Sequence, residues 1–280
     1  MKRSNLLLYV QFHRVHKLAV WEWEGAGPPI LFVHATGFHA RLWKYIIEQL
    51  PGRRCIAFDL RGHGHSDKDF DSYAWRTFGE DTEEVARAFH LRGAIGAGHS
   101  IGGYALALAA ALVPDAFSRL LLIDPVIQPS ADYHGGETDV EFILRRRAQW
   151  KSAQEMHLRF SQRLPFSAWK PEILRDYCDY GLLPDGGGFT LACPPEIEAS
   201  IYPRWNAPEA NLDPELRVIH QPTEVWRSGK RMSEDKFDLS ASATDPHLAE
   251  RMPNARDRVL GDCSHFIPME RPDLVVEALR

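Results

Sequence analysis

Ser100 stands in the segment GHSIG, residues 98 to 102, with a glycine two positions to either side and His99 directly before it. A serine hydroxyl is a weak nucleophile until a base takes its proton. The imidazole that does so needs a carboxylate to fix its tautomer and to stabilise the charge it acquires. The G-x-S-x-G pattern suits a turn sharp enough to lift the hydroxyl clear of a sheet. Such a turn strains the serine backbone, and side chains at Gly98 or Gly102 would collide with neighbouring elements. The N–H of Ile101, opening the following helix, then points to where an oxyanion would form. Nucleophilic attack by Ser100 is the chemistry this implies, provided other segments supply a base and an acid.

The elements that must hold these groups can be read from the apolar pattern. GAIGA before the serine is strand-like, and YALALAAAL after it is helix-forming. Similar short runs recur as LLLYVQF, HKLAVWEWE, PILFVH, RCIAFDL, RLLLIDP, TEVWRS and DRVLG, with helical segments between most of them. This alternation predicts an α/β fold, a mostly parallel sheet of about eight strands covered by helices on both faces. The first two runs are closely joined and predict an antiparallel hairpin; the later, continuously apolar runs predict buried central strands.

Between Val126 and Asp213 the rhythm stops. RLPFSAWKPEIL and LLPDGGGFTLACPPEIEASIYPRW are rich in proline, glycine and aromatics, and DVEFILRRRAQW predicts a helix. Residues 126–213 are therefore expected to form a helical lid inserted into a core made of residues 1–125 and 214–280. The arginines Arg145, Arg146 and Arg147 read as a solvated helix face, with anion binding as the sharper alternative.

The chain has 280 residues, 44% of them hydrophobic, enough for one large core. Its 33 Lys and Arg against 38 Asp and Glu give a formal charge of −5, which offers no footprint for nucleic acid. The basic start of MKRSNLLLYVQFHRV resembles a secretory signal, but Gln11, His13 and Arg14 interrupt its apolar patch too early. No apolar run is long enough to span a bilayer. Cys55, Cys178, Cys193 and Cys263 lack metal-binding spacing and read as free thiols. A cytoplasmic protein acting on a small molecule, with no membrane or nucleic-acid partner, is the expectation; oligomeric state is not legible.

HATGF, residues 34–38, follows the strand PILFVH, and with GHSIG it makes the chain similar to the α/β-hydrolase superfamily over nearly its whole length. The resemblance implies that the Thr36 N–H completes the oxyanion hole begun by Ile101, with Ala35 standing where a glycine is usual. FDLRGHGHSDK, residues 58–68, is similar to the loop supporting the site floor, giving Arg61, His63 and His65 structural roles, and His99 is expected to pack. In the superfamily a histidine followed by a short spacer and E-x-P is the general base. Here that is His265, after the last strand, in CSHFIPMERPDL.

The acid is less direct. The superfamily commonly supplies an aspartate after the penultimate strand as G-x-x-D, but three residues after Gly229 stands Met232. Asp124, at the end of LLLID and one strand beyond the serine's own, is the favoured alternative, because carboxyl ends of parallel strands line the ligand crevice. Glu234, Asp235 and Asp238 are the other candidates, ahead of Asp245 and Asp262. Phe38, Trp43, Trp150, Phe166, Trp169 and Trp205 are candidates for the pocket wall or for lid core.

The resemblance implies an acyl-enzyme mechanism with no metal or organic cofactor, most simply on a carboxylic ester of a small or medium, mainly apolar substrate. Carbon–carbon, lactone or amide hydrolysis and cofactor-free perhydrolysis are the enzymatic alternatives, and a binding protein that has lost turnover is the non-enzymatic one.

Overall fold

Eight of the predicted apolar runs are strands of one sheet in the computed structural model, which describes residues 5–12, 16–136, 138–233 and 238–280. They are β1 (Asn5–Phe12), β2 (His16–Trp23), β3 (Ala26–Val33), β4 (Arg53–Phe58), β5 (Ala94–His99) and β6 (Phe117–Ile123). Three short strands follow, β7 (Gln149–Trp150), β8 (Leu182–Asp185) and β9 (Gly188–Leu191), before β10 (Thr223–Ser228) and β11 (Ala255–Leu260) return to the main sheet. The main sheet runs in the order β1-β2-β4-β3-β5-β6-β10-β11. β1 and β2 form the expected antiparallel hairpin, β2 joins β4 antiparallel, and every pairing from β4 to β11 is parallel.

Helices α1 (Lys44–Ile47), α2 (Trp75–Ala88), α3 (Ile101–Leu112), α4 (Glu141–Leu144), α5 (Ala153–Phe160) and α6 (Pro171–Tyr180) come before β8. They are followed by α7 (Pro195–Ile201), α8 (Asp213–Leu216), α9 (Ile267–Glu270) and α10 (Pro272–Leu279). Successive side chains of a strand leave opposite faces of the sheet, so its two sides have different cores. Leu31, Val33, Ile56 and Phe58 pack with α2 and α3, whereas Ile30, Phe32, Cys55 and Ala57 pack with α1 and α10. The α3 helix, apolar on all sides, is buried almost throughout, and Leu108 fills the space beside Gly79 of α2.

The segment joining β6 to β10 is not wholly helical. β7, β9 and β8 make a small antiparallel sheet beside α5 and α6. Gly186 and Gly187, both with positive φ (51° and 86°), reverse the chain between β8 and β9. Strands of two and four residues, one containing Pro184, are too short to display alternation, which is why the sequence pattern reads as loop and helix. Phe38, Leu42 and Phe266 of the core pack into the apolar cluster of this segment, with Trp150, Trp169 and Tyr177.

All four cysteines are free and buried. Among the described residues no helix is long and apolar enough to cross a membrane.

Candidate active site

Ser100 sits between the end of β5 and the start of α3 with φ 59° and ψ −122°, a conformation that costs a non-glycine residue about 1–3 kcal/mol. What holds it there is main-chain crowding and hydrogen bonding. A Cβ on Gly98 would lie 2.4 Å from the carbonyl oxygen of Gly102, and one on Gly102 would lie 2.3 Å from that of Val33. The Ser100 N–H donates to Ile123 on β6, and its carbonyl accepts from Gly103, Tyr104 and Val126. Its side chain is left at the edge of a cavity that His265 also lines.

His265 lies on the loop after β11, where its N–H donates to the carbonyl of Ser240 at 2.7 Å. Its Nδ1–H donates to Oδ2 of Asp124, also at 2.7 Å. Asp124 directly follows β6, takes a positive φ of 45°, and is tied by its N–H to the carbonyl of Trp226 on β10. The carboxylate is fully buried. It accepts from the N–H (3.2 Å) and hydroxyl (2.9 Å) of Ser228 and from the hydroxyl of Ser242 (2.5 Å). The Thr244 hydroxyl, 3.1 Å from Asp124, also lies 2.7 Å from the carbonyl of Pro125. Burial alone would raise the carboxyl pKa. The bond from His265 and the two serine hydroxyls outweigh it and hold Asp124 ionised below the usual 3.8. The alternation in LSASATD, residues 239–245, is the sequence pattern that carries two of these hydroxyl donors.

The other candidate carboxylates are differently placed. Asp238 accepts from the N–H and hydroxyl of Ser240 and from the N–H of Ser233, closing its own loop. Asp245 faces Arg251 at 3.0 Å, and Asp262 is exposed beside Arg271. Glu234 and Asp235 lie outside the described residues.

Thr36 lines the same cavity as Ser100, on the turn that follows β3. Neither its N–H nor that of Ile101 has a hydrogen-bond acceptor among the described residues. Two buried histidines brace the turn. His34 donates from Nδ1 to the carbonyl of Ala35 (2.8 Å) and accepts the Leu60 N–H on Nε2 (2.9 Å). His63 donates from Nδ1 to the carbonyl of Arg61 (2.8 Å) and accepts the Gly37 N–H on Nε2 (2.9 Å). Each ring must be neutral to accept, and burial first of all lowers their pKa values to about 3 and about 4. Arg61 forms a two-pronged pair with Asp81 at 2.7 Å in the core, and the His65 N–H donates to Asp59.

The cavity encloses about 1010 Å³ and reaches from this turn into the segment after β6. Of the predicted aromatics, Phe38, Trp150, Phe166 and Trp205 line it. Trp43 instead packs on Phe32 beneath the sheet, and Trp169 stands behind the wall against Phe38 and Phe166. The helix-face reading of the triple arginine also changes: α4 ends at Leu144, and all three arginines reach the cavity.

A family model described as "Alpha/beta hydrolase family" matches residues 30–278. The AB hydrolase superfamily protein YisY of Bacillus subtilis is 38% identical over 81 residues, 28% of this chain and 30% of that protein. Esterase Rv0045c of Mycobacterium tuberculosis is 31% identical over 125 residues, 44% of this chain and 41% of that protein. The chain thus spans less than half the length of these two relatives. The crystal structure of E-2-(acetamidomethylene)succinate hydrolase superposes with a TM-score of 0.80 at 22% identity, covering 99% of this chain and 98% of that one.

Proposed function

The chain belongs to the alpha/beta hydrolase family, and from that premise we propose that it is a serine hydrolase cleaving a carboxylic ester through an acyl-enzyme on Ser100. The observation that supports this most is the 2.7 Å bond from His265 Nδ1–H to buried Asp124, in a residue that lines the same cavity as Ser100. With Nδ1 protonated, His265 presents an unprotonated Nε2, the form that accepts the serine proton as Oγ attacks the ester carbonyl. The carbonyl oxygen becomes an oxyanion, for which the N–H groups of Thr36 and Ile101 are the donors. The tetrahedral adduct collapses, His265 returns the proton to the departing alkoxide, and the acyl group stays on Ser100. Water, deprotonated by His265, then attacks the acyl carbonyl; as the second adduct collapses and the acid leaves, His265 returns that proton to Ser100 Oγ.

The ester bond is preferred because Rv0045c, a relative at 31% identity, is named an esterase. No step of this cycle calls for a metal or organic cofactor. In the same reading residues 126–213 act as the lid over the core, and the protein works in the cytoplasm on a small molecule, with neither nucleic acid nor membrane as partner.

A fluorophosphonate probe tests the proposal. Wild-type protein should be labelled at Ser100 and hydrolyse p-nitrophenyl butyrate, and Ser100→Ala should do neither. Folded wild-type protein that takes up no probe would overturn it in favour of a binding protein.

A further inference from the structure

Among the described residues, six arginines line the cavity, Arg145, Arg146, Arg147, Arg159, Arg163 and Arg231, against two carboxylates, Glu198 and Asp238. This excess sits in a chain whose formal charge is −5. Most of it is locally compensated. Arg145 pairs with Glu141, Arg146 with buried Glu198, and Arg147 with Glu155 while lying 4.2 Å over the Trp150 ring. Arg231 is 3.8 Å from Asp238. Arg159 and Arg163, on the last turn of α5 and just beyond it, have no carboxylate at ion-pairing distance among the described residues. Both are exposed at the cavity.

Apolar surface gathers at the same place. Of the large hydrophobic side chains left exposed, Phe142, Leu164 and Leu239 line the cavity, Leu164 with 63% of its surface open. Leu158, 60% open, directly precedes Arg159. Deeper in, Phe160 stacks on Phe166 at 4.3 Å. Scattered apolar residues on a surface mean little, but a set grouped around a cavity mouth marks a place that something apolar covers. The two guanidinium groups beside it, with no acid partner among the described residues, add a charge requirement, and their planar forks match an oxyanion.

We infer that the substrate is an amphiphile, with an apolar body that packs against Phe160, Phe166 and Leu164 and an oxyanion end, carboxylate or phosphate, held by Arg159 and Arg163. This rests on the reading of the cavity as the substrate site and specifies what that site selects. The sequence's triple arginine plays no direct part, because each member already has its own acid.

The test is equilibrium binding by calorimetry to the Ser100→Ala chain, which turns nothing over on the proposed mechanism. The probes are monomethyl adipate, its neutral dimethyl ester, and a methyl hexanoate ending in phosphate. At low salt at least one anionic probe should bind about tenfold more tightly than the dimethyl ester, and which one does identifies the oxyanion. Adding Arg159→Gln and Arg163→Gln, both surface changes, should shrink the gap to about twofold, as should high salt. Equal binding of charged and neutral probes, absence of binding by all three, or a gap that survives the double substitution would overturn the inference. So would a double variant that binds the anionic probe unchanged but no longer sediments with anionic phospholipid vesicles, since the arginines would then serve a lipid surface. Fluorophosphonate labelling of wild-type Ser100 reports separately: labelling without anion preference removes the amphiphile and leaves the hydrolase, and preference without labelling does the reverse.

Discussion

The ring of His99 donates from Nε2 to the backbone carbonyl of His265 at 2.7 Å, so the residue next to the serine holds the main chain of the residue that faces Asp124. Burial, then the proximity of His265, pushes the His99 pKa down to about 3, which keeps the ring neutral with its proton on the nitrogen that makes the bond. His99→Phe keeps the stacking on Phe38 and removes the donor. We expect a loss of about 1–3 kcal/mol of stability in urea unfolding, the cost of an orphaned buried carbonyl. Ester turnover should fall about tenfold with KM nearly unchanged, and His99→Gln should recover most of it. A rise in KM with kcat intact would show that His99 shapes the cavity and leaves His265 unaffected.

Asp124→Asn should cut kcat for p-nitrophenyl butyrate by about 10⁴-fold, the size of loss expected when an amide leaves a catalytic imidazole in the wrong tautomer. Asp238→Asn, whose carboxylate closes its own loop, should cost less than about tenfold by the same reasoning. Steady-state kinetics on the two variants decides the order, and the reverse ranking would move the acid to the β10 loop.

Four buried histidines make stability depend on pH. Burial lowers His34 and His99 to about 3 and His39 and His63 to about 4, from an ordinary value of 6.5. As pH falls below 6.5 the unfolded chain takes up these protons and the folded chain does not. Their contribution is therefore complete above 6.5 and is lost on acidification, at up to about 1.4 kcal/mol per histidine per pH unit, until the folded values are reached. Asp124 acts in the same direction lower down: its stabilisation is present above 3.8 and disappears as pH drops through its depressed folded value. Urea midpoints should fall steeply between about pH 6.5 and about pH 5, and His63→Gln should reduce the slope by about one proton. A flat profile over that window would contradict the neutral assignment of these rings.

Gly102→Ala should destabilise by about 4 kcal/mol or more, because its new methyl would meet main-chain oxygens of Val33 and His34 that have nowhere to go. Gly261→Ala, where nothing lies within 4 Å of the added carbon, should stay within about 0.5 kcal/mol of wild type. Comparable unfolding midpoints for the two would mean that the β5–α3 crossing is looser than this packing implies.

How far the sequence reaches depends on how local the signal is. GHSIG between a strand run and a helix run carries its own geometry, and the central strands declare themselves because buried strands are largely apolar; the last run, expected to be central too, is instead the edge strand β11, mostly exposed along ARDRVL. Asp124 could be named only as a choice among several, since what singles it out is its approach to His265, 141 positions away. The hydroxyls of Ser228, Ser242 and Thr244 come to it from two further segments, and no pattern around LLLID announces them. The β7-β9-β8 sheet is not legible in the sequence because strands this short have no period. Trp43 and Trp205 look alike in sequence, yet one lies beneath the sheet and the other at the cavity. Nothing in the sequence marks Arg159 and Arg163, and only the distribution of acids around their neighbours sets them apart.

The contact of Gly102 with Val33 and His34 has a wider consequence. It mortises the first turn of α3 to the end of β3, main chain to main chain, so the approach of the Thr36 and Ile101 segments rests on β3 and α3 themselves. On the proposed mechanism, substitution in residues 142–166 would alter what the cavity accepts before it touched this main-chain joint.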